Sequence, residues 1–338
     1  MERRTDFLSL ILVTGATGFL GAHVVENLLK QGHRVRATGR SLPEGQKLST
    51  LGAEFMPADL TDAEAVEKLM TGVESVVHCA ALSSIWGKYE DFFEANVVAT
   101  DHLVKAALRA NVKKFVHIST PSLYISPQDR LKIEESEELP PNKINFYAHT
   151  KALAEERVDQ GFKNGLATII LRPQGIFGVG DRAILPRIIR VAKKGFFPVI
   201  RNRNVMIDLT AVENVVHAID CALRAPKSSF GKKYNITNGE PINNAEVIAQ
   251  VLGDLNISYR EKFIGFKKAW LVAGLLENIH RLLRLKAEPL LTRYSVCALG
   301  FSRTLSIEAA KKDLGYQPII GLQPALQRTL TWLKASGY

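Results

Sequence analysis

The chain has 338 residues, 46% of them hydrophobic and 23% charged, a balance that supports a folded core and excludes an extended disordered chain. Its three cysteines, Cys79, Cys221 and Cys297, are widely spaced and form no C-x-x-C pair, which excludes a disulfide framework and a cysteine-based metal site and points to a reducing, cytoplasmic setting. The net charge of +10 is uneven: residues 1–180 hold 20 Lys and Arg against 22 Asp and Glu, and residues 181–338 hold 24 against 12.

In chain order, two arginines precede a short apolar run from Phe7 to Val13. It has the outline of a leader sequence, but no small-residue cleavage site follows and it runs into a glycine-rich turn, so a buried strand is expected over 10–15. "GAHVVENLLKQG" (21–32) reads as a helix closed by Gly32, and 33–40 as a second strand. Residues 53–60 lead into a helix over 62–70, then a strand over 75–81. A helix is predicted over 92–110, a strand over 113–120, a helix over 146–164 and a strand over 167–173. Strands alternating with helices predict parallel β-α-β units and an α/β, doubly wound parallel sheet.

After Pro173 the rhythm changes. A basic amphipathic helix is predicted over 185–195, a helix over 214–226 ended by Pro226, a strand and turn over 232–242, and a further helix opening at Asn243 and Asn244. The expected organisation is a nucleotide-binding domain over 1–173 plus about 205–238. Residues 174–204 and about 239–338 then form a smaller, interleaved, mostly helical substrate lobe. No stretch approaches 18 uninterrupted apolar residues, so no transmembrane helix is predicted.

The first turn carries chemistry. "TGATGFLG" sets Gly15, Gly18 and Gly21 between a strand and a helix. Glycine allows close backbone approach to a phosphate, and the helix start offers free N–H groups to a pyrophosphate. The spacing is G-x-x-G-x-x-G, and its place after a first strand points to a dinucleotide rather than to a merely tight turn. The second strand ends in "RATGRS", without the acid that would bind an NAD ribose. Arg40 can pair a 2′-phosphate instead, so NADP(H) is expected over NAD(H), with a solvated loop arginine as the alternative. Asp59 can accept from an adenine amino group.

"YAHTK" places Tyr147 and Lys151 four residues apart, on one helix face. A free tyrosine has a pKa of about 10, too high for efficient proton transfer near neutrality, and a nearby ammonium lowers it. Tyr147 is therefore expected as the proton donor and Lys151 as the charge that tunes it.

Taken together, "TGATGFLG", "HCAA", "ANVVAT", "ISTPSLY", "YAHTK", "LRPQGIFGVGD" and "AAKKDLGYQP" resemble the extended short-chain dehydrogenase/reductases, over nearly the full length. Ala99 stands where many members have glycine. Within that group the chain is similar to the 3β-hydroxysteroid dehydrogenase-like branch, which includes 2-alkyl-3-oxoalkanoate reductases; "SIWGKYEDFFEANV", "STPS" and "PLLTRYSVCAL" carry that likeness. The resemblance implies a Rossmann-type domain and a homodimer. It implies that Thr120 hydrogen-bonds the substrate oxygen, that Lys151 also holds the nicotinamide ribose, and that Pro173 lies near the nicotinamide. It adds Thr17, Phe19, Leu20, Leu60, Ala80 and Ala81 to the residues around the cofactor. Ser119 and Ser122 are neighbours that can share the role of Thr120, and Tyr124 is expected to pack structurally.

His78 and His117 are expected as packed, satisfied strand residues, and His149 to point away from the Tyr–Lys face. No metal site is expected. The stretch 262–286 holds six Lys and Arg and one acid among apolar residues. It reads as one or two amphipathic helices with a break near Gly274, either packed over the substrate cleft or lying on a membrane as a peripheral contact. No nucleic-acid partner is expected, because no binding module accompanies the basic charge. The whole reads as an oxidoreductase interconverting a ketone and an alcohol on a small hydrophobic substrate. A nucleotide-sugar epimerase or dehydratase, and a non-catalytic assembly subunit, are the rivals.

Overall fold

The computed structural model describes residues 9–337. Phe7 and Leu8, the start of the first apolar run, lie outside the described residues. Seven strands form the central sheet: β1 (Leu10–Thr14), β2 (Arg34–Thr38), β3 (Glu54–Phe55), β4 (Ser75–His78), β5 (Lys114–Ile118), β6 (Thr168–Pro173) and β7 (Lys232–Ile236). Their spatial order is β3-β2-β1-β4-β5-β6-β7, with every neighbouring pair parallel. The doubly wound sheet expected from the alternation is present. The winding reverses between β1 and β4, and a crevice opens there at the carboxyl ends of the strands.

Both faces of the sheet are covered, and the central strand β1, LILVT, is buried along its whole length. Ile11 and Val13 face one core with Val24, Val25 and Leu28 of α1 (Phe19–Lys30). The short α2 (Leu42–Thr50) packs at that edge through Leu48. Leu10 and Leu12 face the opposite core with Leu69 and Met70 of α3 (Ala63–Met70). After α4 (Tyr89–Phe93), that core takes in Leu103 of α5 (Ala99–Arg109) and Val158 of α6 (Phe146–Lys163). Each such side chain contributes about 1.5–3 kcal/mol by leaving water.

Two expectations change here, and the third strand is short. The segment 53–60 is a strand only at Glu54–Phe55; Pro57 lacks an N–H for a ladder, and a turn capped by Asp59 follows. The helix expected over 92–110 starts at Tyr89 and contains a π-helical turn, Glu94–Val98, before α5. Its apolar spacing reads the same with or without that insertion. The stretch 262–286 starts with the end of a strand, Arg260–Ile264, paired in parallel with Phe196–Ile200.

The second lobe is built from α7 (Ile184–Ala192), α9 (Asn244–Asp254), α10 (Phe266–Leu282), α11 (Arg293–Gly300) and α13 (Leu322–Ala335), whereas α8 (Val212–Arg224) and α12 (Glu308–Leu314) pack onto the first core. Its own core joins Leu185 and Ile189 of α7, Val247 and Val251 of α9, and Leu326 and Leu330 of α13. Helix α10 runs unbroken through Gly274. A Cβ there would collide with the Arg293 guanidinium, so this glycine admits a neighbour rather than ending a helix. A four-stranded sheet in the order Ile242–Asn243, Met206–Ile207, Arg303–Leu305, Arg130–Ile133 ties the lobe to the loop after β5.

Candidate active site

The loop after β1 is shaped for close approach. Gly15 has φ +64°, and a Cβ there would stand 2.7 Å from the Ala80 backbone. A Cβ on Gly21 would collide with the Gly15 carbonyl. Gly18 is exposed and caps α1 without a side chain, which leaves first-turn N–H groups free for an anion. Thr17, Phe19 and Leu20 are half-buried around that opening. The Ala80 N–H donates to Thr14 Oγ1 at 3.3 Å and holds the end of β4 against the loop, with Ala81 next in the chain. Bare backbone with open donors at a helix start fits a dinucleotide pyrophosphate.

Arg40 is exposed beyond the end of β2. Asp59 lies within its electrostatic reach. Two hydrogen bonds from Thr61, helped by the Arg40 charge, hold the Asp59 carboxyl below its usual range. Asp59 Oδ1 is occupied by Thr61, so an adenine contact falls to Oδ2. Leu60 is half-buried, with its carbonyl 3.3 Å from His102 Nδ1. Pro173 is buried at the end of β6.

Asn145 accepts from the Ala148 N–H at 2.9 Å and starts α6, which puts Tyr147 in its first turn. Lys151, one turn on, is 1% exposed. Its ammonium donates to the Ile118 carbonyl at 2.7 Å and faces His117 Nε2 at 3.0 Å. An ammonium has three hydrogens, so one remains for a ligand. Burial lowers the Lys151 pKa to about 8. Burial pushes Tyr147 up to about 12, against a hydrogen bond with Thr120 that lowers it. The expected depression of Tyr147 by Lys151 is therefore absent in the free chain: the ammonium is turned to the sheet, and the phenol holds its proton.

Of the two strand histidines, His78 is satisfied as expected. Its Nδ1 lies 2.7 Å from Thr14 Oγ1 and its Nε2 2.9 Å from Thr100 Oγ1. His117 is not: Nδ1 is buried with no partner among the described residues, and its other nitrogen serves Lys151. Burial lowers both histidines, His78 to about 3, so both are neutral at pH 7. From Thr100 the network continues to the Asn96 carbonyl at 2.6 Å, from Asn96 Nδ2 to Thr150 Oγ1 at 3.0 Å, and from Thr150 to the Phe146 carbonyl at 2.9 Å. A continuous buried polar path thus joins β1 to the residue before Tyr147. Asn96 lies in the π-helical turn, a feature that recurs at functional sites. His149 is exposed, with its ring 6.0 Å from that of Tyr89.

Thr120 is 7% exposed and caps the 3-10 turn Pro121–Tyr124. Its Oγ1 accepts from the Ser122 N–H and donates to Ser122 Oγ, both at 3.1 Å. Ser122 Oγ lies 3.1 Å from the hydroxyl of Tyr294 on α11. Ser119 instead donates to Glu155 at 2.5 Å and stands outside this group. Tyr124 is structural: its hydroxyl takes a bond from Arg172 and gives one to Asn235. On the second lobe's side, Gln174 Nε2 donates to the Arg303 carbonyl at 3.1 Å, and Arg303 Nε donates to Gln174 Oε1 at 3.4 Å. Asp208 Oδ2 accepts from the Leu305 N–H at 2.7 Å, and burial pushes its carboxyl up to about 6.

The structure thus gathers Thr120, Tyr147 and Lys151 at the end of β5. Sequence reasoning missed Asn96, Tyr294, Gln174 and Arg303. Asn96 and Tyr294 stood inside recognised stretches, but Tyr294 is 172 residues from Ser122, and nothing local announces that contact.

Known proteins are similar to this chain in sequence and fold. The model of the NAD dependent epimerase/dehydratase family matches residues 11–237. The chain is 36% identical to the uncharacterized protein YbjS of Escherichia coli, over 97% of this chain and 98% of that one. It is 35% identical to a 2-alkyl-3-oxoalkanoate reductase of Stenotrophomonas maltophilia, over 96% and 98%. It is 30% identical to the sterol-4-alpha-carboxylate 3-dehydrogenase, decarboxylating, of Mus musculus, over 94% and 89%. Among solved structures it shares the fold of the UDP-glucuronic acid 4-epimerase from Bacillus cereus in complex with NAD, with a TM-score of 0.74 and 22% identity over 96% of each chain. On its sequence match and its parallel sheet alike, the chain belongs to the NAD dependent epimerase/dehydratase family, in the extended short-chain dehydrogenase/reductase branch.

Proposed function

We propose that the protein is an NADP(H)-preferring oxidoreductase that interconverts a ketone and a secondary alcohol on a hydrophobic substrate, a long-chain 3-oxo compound or a steroid-like one. The observation that carries this reading is the meeting of Thr120, Tyr147 and Lys151 at the end of β5, beside the glycine loop. The relatives named as a 3-oxoalkanoate reductase and a sterol 3-dehydrogenase support it.

The glycine loop and the start of α1 would hold the dinucleotide, Arg40 would pair a 2′-phosphate, and the remaining Lys151 hydrogen would serve a ribose hydroxyl. When bound, the dinucleotide supplies or accepts the hydride. The chain supplies the rest. Thr120 orients the substrate oxygen and donates to it as negative charge develops. Tyr147, protonated at neutral pH because its pKa is pushed up to about 12, gives that proton to the oxygen. An O–H bond forms on the product and a phenolate remains, which the Lys151 charge stabilises once its ammonium turns from the sheet toward the ligand. In the oxidation the phenolate takes the alcohol proton back.

The non-catalytic reading is opposed by the presence of the whole trio. The epimerase reading shares it and is separated by substrate: NADPH oxidation is followed with 3-oxo compounds and steroids, and nucleotide sugars are assayed for conversion. Tyr147→Phe is expected to lower kcat by about 10²–10⁴-fold while NADPH still quenches protein fluorescence as it does for the parent. Turnover retained in that variant removes Tyr147 as the acid.

A further inference from the structure

Arg303 is a cation of the cleft that the mechanism above leaves unused. It opens the strand Arg303–Leu305, which parallel pairing to Ile207 and Arg130 holds in place. Gln174, next to Pro173, fixes its backbone and its Nε. Its two terminal nitrogens have no partner among the described residues, and no carboxylate there is ion-paired to it. Asp208 lies within electrostatic reach but spends Oδ2 on the Leu305 N–H, and its Oδ1 stays unpartnered. The Tyr294 hydroxyl lies within electrostatic reach of both Arg303 and Tyr147 and 3.1 Å from Ser122 Oγ, which Thr120 bonds in turn, so the guanidinium stands on the same side as the proposed proton donor. A half-buried guanidinium with an open fork is matched by a carboxylate that binds both terminal nitrogens.

We propose that Arg303 is an acid-binding subsite, and that the substrate is a 3-oxo or 3-hydroxy acid whose carboxylate sits on Arg303 while its 3-oxygen meets Thr120 and Tyr147. This rests on the oxidoreductase reading above. The test uses a long-chain 2-alkyl-3-hydroxy acid, its methyl ester and a nucleotide sugar as the three substrates, with NADP in excess for the first two. The parent is expected to favour the acid over the ester by at least about tenfold in kcat/KM, because an uncharged ester leaves the guanidinium unpaired. In Arg303→Gln the acid-to-ester ratio falls toward one, and Arg303→Lys keeps part of it. Equal use of acid and ester by the parent, or a ratio unchanged in Arg303→Gln, overturns the subsite while leaving the oxidoreductase reading intact. Conversion of the nucleotide sugar with no turnover of acid or ester overturns both.

A separate observation concerns α10. This helix turns Ala269, Ala273, Gly274 and Glu277 inward. Its large apolar residues face out: Leu271 is 74% exposed, Leu275 59% and Leu282 83%, with Val272 and Ile279 alongside. An ordinary surface helix does the reverse. Lys267 and Lys268 in its first turn and Arg281, Arg284 and Lys286 at or just past its end are exposed, so cations flank this face at both ends of the helix, with Lys262 in the strand before it. Arg281 also lies over Trp86 and Phe146, and Glu277, the acid of the stretch, is bonded to Arg293. No helix among the described residues is long and apolar enough to cross a membrane.

The geometry points to an anionic phospholipid surface as the occupant, since apolar residues flanked by cations match acyl chains beneath anionic headgroups. A second copy would set like charges against each other. Sedimentation with phosphatidylcholine vesicles, with and without phosphatidylglycerol, is expected to show binding to the anionic vesicles that weakens with salt. Each of Lys267→Gln and Lys268→Gln lowers the partition coefficient by about fivefold. The triple variant Leu271→Ser, Leu275→Ser, Leu282→Ser abolishes binding. Binding unchanged in the triple variant, or absent from the parent, overturns the assignment. So does a parent dimer that the same variant dissociates, which would mean that a second copy covers this face.

Discussion

Lys151 was recognisable from its spacing to Tyr147, because four residues are about one helical turn. Where its ammonium points was not. That direction depends on the Ile118 carbonyl and on His117, an imidazole delivered by a different element. The same division holds for Arg40. Its place after β2 was readable along the chain, whereas its proximity to Asp59 emerged only on folding. Arg40 is exposed, so Arg40→Asp leaves the fold intact and, on the proposed function, removes one charge-assisted bond to a 2′-phosphate. Such bonds are worth about 1.5–3 kcal/mol. The ratio of kcat/KM for NADPH over NADH is therefore expected to fall by about ten- to a hundredfold. An unchanged ratio in steady-state kinetics removes Arg40 from the cofactor site.

Helix α6 shows how an element carries a site. Its bounds were legible from composition, 146–164 against Phe146–Lys163 in the structure. Its anchoring was not. Glu155 and Arg172 form a buried ion pair at 2.6 Å, each side chain 3% exposed, with Ser119 on Glu155 and Lys233 at 3.4 Å. A buried pair is weak evidence of net stability, but removing one partner leaves an uncompensated charge. Glu155→Gln is expected to lower stability by about 3–5 kcal/mol in urea unfolding. Because α6 also bears Tyr147, kcat falls in the same variant. A double variant, Glu155→Leu with Arg172→Met, recovers much of the loss. A Glu155→Gln protein as stable as the parent would show that Lys233 and Arg172 find water or another partner. The π-helical turn before α5 escaped notice for a related reason: one inserted residue leaves an apolar periodicity readable as helix, while it changes which groups Asn96 meets.

At the scale of the whole molecule, the basic charge of residues 181–338 separates into distinct uses. Some of it is spent in ion pairs such as Arg187 with Glu288 and Arg203 with Glu261. Arg303 faces the cleft and the cations flanking α10 are exposed, and each underlies a proposal above. The alternation of strands and helices up to Pro173 was readable because parallel β-α-β units repeat locally. The short strands Arg130–Ile133 and Arg303–Leu305 were not, since among the described residues the first pairs only with the second, and the second only with it and with Met206–Ile207, all distant in the chain.

The sequence by itself determined what depends on neighbours in the chain: the glycine turn at 15–21, the Tyr147–Lys151 face, the first lobe's alternation, and the family. Backbone geometry makes those consequences of spacing. Only the tertiary structure decided what meets them: His117 beneath Lys151 within the first lobe, Tyr294 on Ser122, Arg303 braced by Gln174, and the leucines of α10 left outward. The contacts join residues far apart in the chain, and they arise from packing across the molecule rather than from any local pattern.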